Sequence, residues 1–263
     1  MSGLVRGVQV EALKVRTARA SYAVLATSAM LTLLFSLLEA SRAGSKGVAP
    51  ITTAAGLSTV TTVTGFSMLL AAVLGAMITS GEFRHGTETL TYLAFPERGW
   101  VLAAKEIVAA ASGAVFGLVS GVVSTAVGVG FAAGHRGALA LGAGTLAGHV
   151  AGAMLGAALF GAVGAGLGSL VRSQLAGVTA LFLWSVVVES VVGGLFPHVL
   201  RYMPYTAATS LGGIKPGGSA FGPAHGASAG APLPFVAAAA FVAGVAVLLS
   251  MLASRTTVAR DIS

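Results

Sequence analysis

Residues 142–168 read GAGTLAGHVAGAMLGAALFGAVGAGLG and contain no Asp, Glu, Lys or Arg. Because about 20 apolar residues suffice to cross a bilayer as a helix, this run is long enough to be a membrane span. Rows of small residues let helix backbones approach closely in lipid, so the glycines predict tight helix packing rather than a pore. The rows, spaced four residues apart, are Gly144, Gly148, Gly152 and Gly156 here, and Gly113, Gly117 and Gly121 in an earlier apolar segment.

The composition of the whole chain indicates a membrane protein. Only 9% of its residues are charged and 56% are apolar, whereas soluble domains carry about 25% charged residues, so a water-facing surface could not be built. The absence of cysteine excludes disulfides, thiolate metal sites and cysteine nucleophiles. Although the net charge is +7, the basic residues are scattered, which indicates membrane topology rather than a nucleic-acid partner.

The hydropathy pattern predicts an all-α integral membrane protein, one transmembrane domain over residues 1–263 with six spans. The six predicted spans are 20–38, 57–79, 107–132, 142–168, 175–195 and 232–253. An even number of spans places both termini on the same side. With the termini inside, ten basic residues fall in cytoplasmic segments and five outside, so the positive-inside rule favours cytoplasmic N- and C-termini.

Two segments outside the spans have a predicted structure of their own. Residues 1–19 carry Leu4, Val5, Val8, Ala12 and Val15 at helical spacing, which predicts an amphipathic helix along the inner membrane surface. The alternative is a basic tail that only fixes orientation. The outer segment 196–231 is apolar and aromatic up to Leu211, which predicts a short re-entrant part before a flexible linker.

The segment 80–105 begins SGEFRHGTETLTYLAFPERGW and is a charged island between apolar spans. It contains three of the eight acidic residues within sixteen positions, and it ends at Lys105, which Glu106 follows directly. A loop this polar between two spans is expected to contact another molecule in water.

Glu189 is the one acidic residue well inside a predicted span, and His149 lies at a similar depth in another span. Intramembrane ionisable groups are costly and mark functional sites, so the two side chains could meet and relay protons. The alternative is structural: the Glu189 carboxylate accepts hydrogen bonds from backbone N–H groups of the re-entrant segment near Pro197. The structural interpretation is preferred.

Span two is rich in hydroxyl groups, which belong to Ser58, Thr59, Thr61, Thr62, Thr64 and Ser67. Such side chains can bond to their own helix or to a neighbouring helix. They could equally line a polar route, for which Thr59, Thr62 and Ser67 are the candidates. Both interpretations stay open at this stage.

Motifs for catalysis are lacking. The sequence has no G-x-x-x-x-G-K-[ST] loop and no H-E-x-x-H, its five histidines are dispersed, and its only Asp is Asp261. We therefore expect no enzyme activity, no metal site and no cofactor bound by this chain.

Several short motifs occur in order along the chain: Glu11-Ala-Leu-Lys-Val-Arg-Thr17, Gly81-Glu-Phe-Arg-His-Gly-Thr87, Pro96-Glu-Arg98, Leu102-Ala-Ala-Lys105, and Trp184 to Glu189 followed by Pro197 and Tyr202-Met-Pro204. Together they resemble permease subunits of the ABC-2 family of ATP-binding-cassette exporters, especially actinobacterial members. In order and spacing the resemblance covers essentially the whole chain. Glu88 departs from the pattern, which expects an apolar or small residue there.

The resemblance implies a permease of a bacterial cytoplasmic membrane that works with a separate ATPase subunit, which binds the ATP. It also implies a second permease copy, as a homodimer, with spans two and five facing the route of a hydrophobic or amphipathic solute. In the loop, Glu82, Arg84 and Arg98 would pair with charges of the ATPase. The aromatic residues Phe83, Tyr92 and Phe95 would fill its apolar groove.

Two other functions are compatible with the same residues. One is an ion-coupled carrier that uses Glu189 and His149 as a proton relay. The other is a membrane scaffold or sensor subunit that docks an ATPase without moving a solute. The sequence does not identify a substrate.

Overall fold

The computed structural model describes residues 3–85, 98–135, 139–171, 173–214 and 231–256, without the side chains of residues 82–85 and 98. Within these ranges the regular structure is helical and contains no strand. Six of the described helical segments are long and apolar enough to cross a membrane. The predicted all-α membrane fold with six spans is therefore confirmed.

The helices are, in chain order, α1 (Gly3–Thr17), α2 (Arg19–Arg42), α3 (Ala54–Thr61), α4 (Gly65–His85), α5 (Arg98–Gly134), α6 (Ala143–Val171), α7 (Gln174–Phe182), α8 (Glu189–Leu195), α9 (Pro204–Leu211) and α10 (Phe235–Thr256). A π-helical turn, Leu183–Val188, joins α7 to α8, and a 3₁₀ turn, Leu200–Tyr202, precedes α9. Helix α1 corresponds to the predicted surface helix, and α9 lies within the segment that is predicted to be re-entrant. The six spans are α2, α3 with α4, α5, α6, α7 with α8, and α10.

Span two is not the continuous helix that its hydropathy suggested, because it breaks between Thr61 and Gly65. The run from Thr61 to Thr64 consists of four β-branched residues, whose side chains lose rotamer freedom in a helix. The Thr61 carbonyl accepts a hydrogen bond from the Ser124 hydroxyl at 3.0 Å. The Thr64 N–H donates to the Thr62 carbonyl at 2.7 Å. The break places two helix ends inside the bundle.

Helix α6 is the centre of the bundle and packs against α4, α5 and α10. Its crossing with α5 is close: a Cβ atom on Gly113 or Gly117 would overlap the carbonyl groups of Ala157 or Ala153, respectively. The row of glycines in α5 therefore serves helix packing, as its spacing predicted.

The least buried of the six spans are α2, span five and α10, and all three carry large exposed apolar side chains, whereas span two is the most buried. Examples are Met30, Leu34, Leu175, Leu183, Val236 and Leu248. Apolar surface of this extent suits contact with lipid chains.

Candidate functional site

Helix α9 is a short helix enclosed by the bundle. It spans eight residues, Pro204–Leu211, or about 12 Å, and packs against α4, α6 and α10. Met203 precedes it in an extended conformation, as expected before proline, and Pro204 takes the first helical position. All residues from Tyr205 to Leu211 except the half-buried Ser210 are buried. The chain leaves α9 through Gly213, whose φ of +87° suits glycine.

Glycines of α6 form the surface on which α9 lies. A Cβ atom on Gly152 would overlap the Leu211 carbonyl, and one on Gly156 would lie 2.6 Å from the Ala208 carbonyl oxygen. By contrast, a Cβ atom on Gly144 or Gly148 would meet no atom within 4 Å. The second half of the glycine row in α6 therefore accommodates α9, and the first half does not form a close crossing.

The buried carboxylate of Glu189 caps the N-terminus of α9. Its Oε1 accepts the N–H of Tyr205 at 2.8 Å, and its Oε2 accepts both the N–H and the hydroxyl of Thr206 at 2.8 Å. Met203 occupies the usual capping position and offers no side-chain hydrogen bond. Glu189, from span five, therefore supplies the acceptor that the helix lacks locally, at the end where the helix dipole favours negative charge.

The π-helical turn helps to build this cap. Trp184 Nε1 donates to Glu189 Oε1 at 3.2 Å, although the two residues are five positions apart. In an α-helix neighbours on one face are three or four residues apart, whereas a π-helix bonds residue i to residue i+5. The turn Leu183–Val188 thereby brings Trp184 onto the carboxylate as a fourth donor.

The partners of Glu189 differ in position from those expected. They lie just after Pro204, and not near Pro197. The sequence motif around Tyr202 and Pro204 pointed to this region, but nothing in it identified Tyr205 and Thr206 as the donors.

His149 lies at the other end of α9. Its Nδ1 is 3.0 Å from the hydroxyl of Thr61, and a Cβ atom on Gly213 would lie 3.1 Å from its ring. Among the described residues, no hydrogen bond joins His149 to Glu189. The direct meeting suggested by their similar depths is therefore not seen, since the length of α9 separates them.

The hydroxyl groups of span two divide into two sets. Those of Thr59, Thr62 and Ser67, the candidates for a polar route, bond to carbonyl groups of their own segment at 3.0, 2.8 and 2.6 Å. The Thr61 hydroxyl also contacts its own segment, at the Ser58 carbonyl 3.3 Å away, but it lies 3.0 Å from His149 Nδ1 as well. The Thr64 hydroxyl, which is buried, has no hydrogen-bond partner in the described part of the chain. The two inward-facing hydroxyl groups are thus at the break.

A second polar site joins α1 to the start of span three. The Glu11 carboxylate is buried and lies 3.1 Å from Lys105 Nζ and 2.7 Å from Lys14 Nζ. One turn earlier, a Cβ atom on Gly7 would lie 3.1 Å from that of Ala104. The face of α1 toward α5 is therefore centred on Gly7 and Glu11, a polar contact that the apolar pattern of the helix did not predict.

The residues proposed to contact an ATPase lie outside the described residues. For Tyr92 and Phe95 this applies to the whole residue. For Glu82, Phe83 and Arg84 in the last turn of α4, and for Arg98 at the start of α5, it applies to the side chains. Their role therefore stays a prediction.

Comparison with known protein families finds no matching family. Comparison with curated proteins likewise gives no match.

Proposed function

We propose that this chain is the membrane-embedded permease subunit of an ATP-driven exporter. The observation that carries the proposal is the buried contact of Glu11 with Lys105. It joins a surface helix to the first turns of α5, at the end of the polar segment 80–105. A helix pair fixed in this way is suited to receive a displacement from a subunit in water and to pass it into the membrane.

Close packing supports a path for that displacement. Helix α5 crosses α6 at Gly113 and Gly117, and α6 in turn carries α9 at Gly152 and Gly156. Packed interfaces of this kind shift between discrete arrangements rather than deforming continuously. A movement at the base of α5 would therefore reach α9, which lies near the opposite end of the bundle and acts in this proposal as the outer gate.

The partners follow from the resemblance to ABC-2 permeases. A separate ATPase binds ATP and contacts the segment 80–105, and a second permease copy completes the route for a hydrophobic or amphipathic solute. The membrane is a bacterial cytoplasmic membrane, with both termini inside.

An ion-coupled carrier is the second candidate, and the broken span two favours it. Carriers commonly place binding sites at interrupted membrane helices. The separation of Glu189 from His149 weighs against a direct proton relay between them. The two functions differ in their energy source, which allows a clear test.

The test is reconstitution in vesicles, with and without a candidate P-loop ATPase subunit. For an exporter, the two proteins purify together, and a fluorescent amphipathic dye moves only when both proteins and ATP are present. Dye movement by the chain alone under a pH gradient would replace this proposal with the carrier.

A pair of matched variants probes the coupling. Glu11→Gln removes the charge that holds Lys105 and should lower dye movement per ATP hydrolysed. Glu39→Gln removes a more exposed carboxylate, 3.9 Å from Arg42 on another part of the chain, and should not. If both variants move the same amount of dye per ATP hydrolysed, the Glu11–Lys105 contact does not have the proposed role in coupling.

A further inference from the structure

The break in span two leaves the N-terminus of α4 inside the bundle. Helix α4 begins at Gly65 and runs for 21 residues. The first N–H groups of an α-helix have no partner within the helix, and a helix N-terminus attracts electronegative groups. Thr64 holds the capping position, where its carbonyl accepts the N–H of Ser67 at 3.1 Å and that of Met68 at 3.4 Å.

The Thr64 hydroxyl does not cap this helix. Among the described residues, two other hydroxyl residues in capping positions do so: Thr53 accepts the N–H of Gly56 at 3.2 Å, and Ser173 that of Ala176 at 3.4 Å. Thr64 is only 1% exposed, and its Oγ1 has no hydrogen-bond partner among the described residues. It faces the turn after α9, because a Cβ atom on Gly212 would lie 3.0 Å from it.

The hydroxyl of Tyr205 points at the same helix end. Tyr205 is 2% exposed, and its Oη also has no hydrogen-bond partner in the described ranges. A Cβ atom on Gly65 would lie 2.8 Å from this oxygen. A buried polar group without a partner is costly and calls for an explanation. Two such hydroxyl groups flank one helix N-terminus here.

The remaining neighbours of this junction are mostly apolar. The Cδ1 of Ile214 and the Cγ2 of Thr209 would lie 3.7 Å from a Cβ atom on Gly65, and Met68 Cε would lie 3.2 Å from one on Gly212. The junction thus offers hydrogen-bond donors within apolar surroundings.

We propose that the N-terminus of α4, with the hydroxyl groups of Thr64 and Tyr205, binds one hydrogen-bond-accepting oxygen of an otherwise apolar molecule. An ester or other carbonyl oxygen fits this chemistry. Identifying that molecule as the transported solute rests on the proposed function. Binding itself requires only this chain, and the carbonyl could belong to a solute or to a bilayer lipid.

The test uses fluorine NMR of the protein labelled with 3-fluorotyrosine, in nanodiscs of ether-linked lipids that contain no carbonyl group. The chain has four tyrosines, and Tyr205→Phe and Tyr202→Phe assign the signals of those two. Methyl octanoate is the probe, and octane is the matched probe without an acceptor. We expect methyl octanoate to shift the Tyr205 signal saturably, and octane to leave it unchanged. The signal of Tyr202, which is exposed, should respond to neither.

Variants of Thr64 and a matched control identify the site. Thr64→Val should weaken binding of methyl octanoate roughly fivefold, as expected for one lost hydrogen bond, whereas Thr64→Ser should retain binding. Thr32→Val removes another fully buried hydroxyl without a partner among the described residues, on α2, and should change nothing. A Tyr205 response that is the same for octane, or unaffected by Thr64→Val, would overturn the proposal.

Two further arms separate the possible outcomes. In ester-linked lipids without probe, a Tyr205 signal already at its shifted position identifies the lipid as the source of the carbonyl. The binding experiment contains no ATPase, so the two proposals can fail separately. If the chain binds methyl octanoate but associates with no ATPase, the exporter proposal is wrong and the binding site is retained. If the chain associates with the ATPase but does not bind methyl octanoate, the binding site is wrong and the exporter proposal is retained.

Discussion

Glu189 lies with its Oε2 atom 2.8 Å from both the backbone nitrogen and the hydroxyl oxygen of Thr206. The two residues belong to different elements, since one lies in the fifth span and the other in the first turn of α9. This contact connects α9 to span five. It lies at the N-terminus of α9, where no residue next to the helix caps it. The position of α9 should therefore depend on this one carboxylate.

Replacing Glu189 should separate the roles of acceptor and charge. Glu189→Gln keeps one accepting oxygen, and we expect it to lower the free energy of unfolding by about 1–2 kcal/mol. Glu189→Leu leaves the donors of Tyr205 and Thr206 unsatisfied in the interior, with an expected loss of about 3–5 kcal/mol. Thermal unfolding in nanodiscs measures both, with Glu39→Gln as a control at a more exposed carboxylate. Equal stability of the Gln and Leu variants would contradict the capping role.

The glycine row of α6 allows a comparison within one helix. Gly152→Ala places a methyl group against the Leu211 carbonyl, so it should displace α9 and destabilise the protein by about 1–3 kcal/mol. Gly148→Ala, one turn away, meets no atom within 4 Å and should be neutral or slightly stabilising, because alanine favours a helix. Hydrogen exchange of residues 204–211 measures the displacement. Unchanged protection in Gly152→Ala would show that α9 does not depend on this surface.

The sequence predicts the six spans, but it does not predict the polar contacts between them. Six apolar runs identify six spans because the length of a bilayer-crossing helix is fixed by the bilayer. Two of the four donors to Glu189 are backbone N–H groups, which every residue except proline carries, so no residue pattern marks them. Glu11 and Lys105 are 94 positions apart, and only the packing of α1 on α5 brings them together. The break in span two has a visible cause in the β-branched run from Thr61 to Thr64. The mean hydropathy of the span does not reveal the break, because it averages over the whole segment.

The contact of α1 with α5 can be tested by disulfide formation. The chain contains no cysteine, and a Cβ atom on Gly7 would lie 3.1 Å from the Cβ atom of Ala104, close to the separation of about 3.5–4.5 Å in disulfides. The double variant Gly7→Cys with Ala104→Cys should therefore crosslink under mild oxidation. Mass spectrometry of a proteolytic digest detects the bond.

The matched control for this crosslink pairs Ala104→Cys with Gly3→Cys, since a Cβ atom on Gly3 has no neighbour within 4 Å. It should crosslink much more slowly. If α1 and α5 move as one unit, the oxidised Gly7–Ala104 variant should retain most ATP-dependent dye movement. Loss of movement on oxidation, restored by reduction, would mean that α1 slides on α5 during the cycle.

The orientation in the membrane gives the last prediction. The excess of basic residues in the N-terminal segment and in the loops on its side indicates cytoplasmic termini. Thr17 and Ser45 are both exposed and lie at opposite ends of α2, so single cysteines there report the two sides. In intact cells an impermeant thiol reagent should label Ser45→Cys and should label Thr17→Cys only after permeabilisation. Ser80 is fully buried, so a cysteine there would react poorly from either side and would report nothing. The reverse labelling pattern would place the segment 80–105 outside, where no ATPase could reach it.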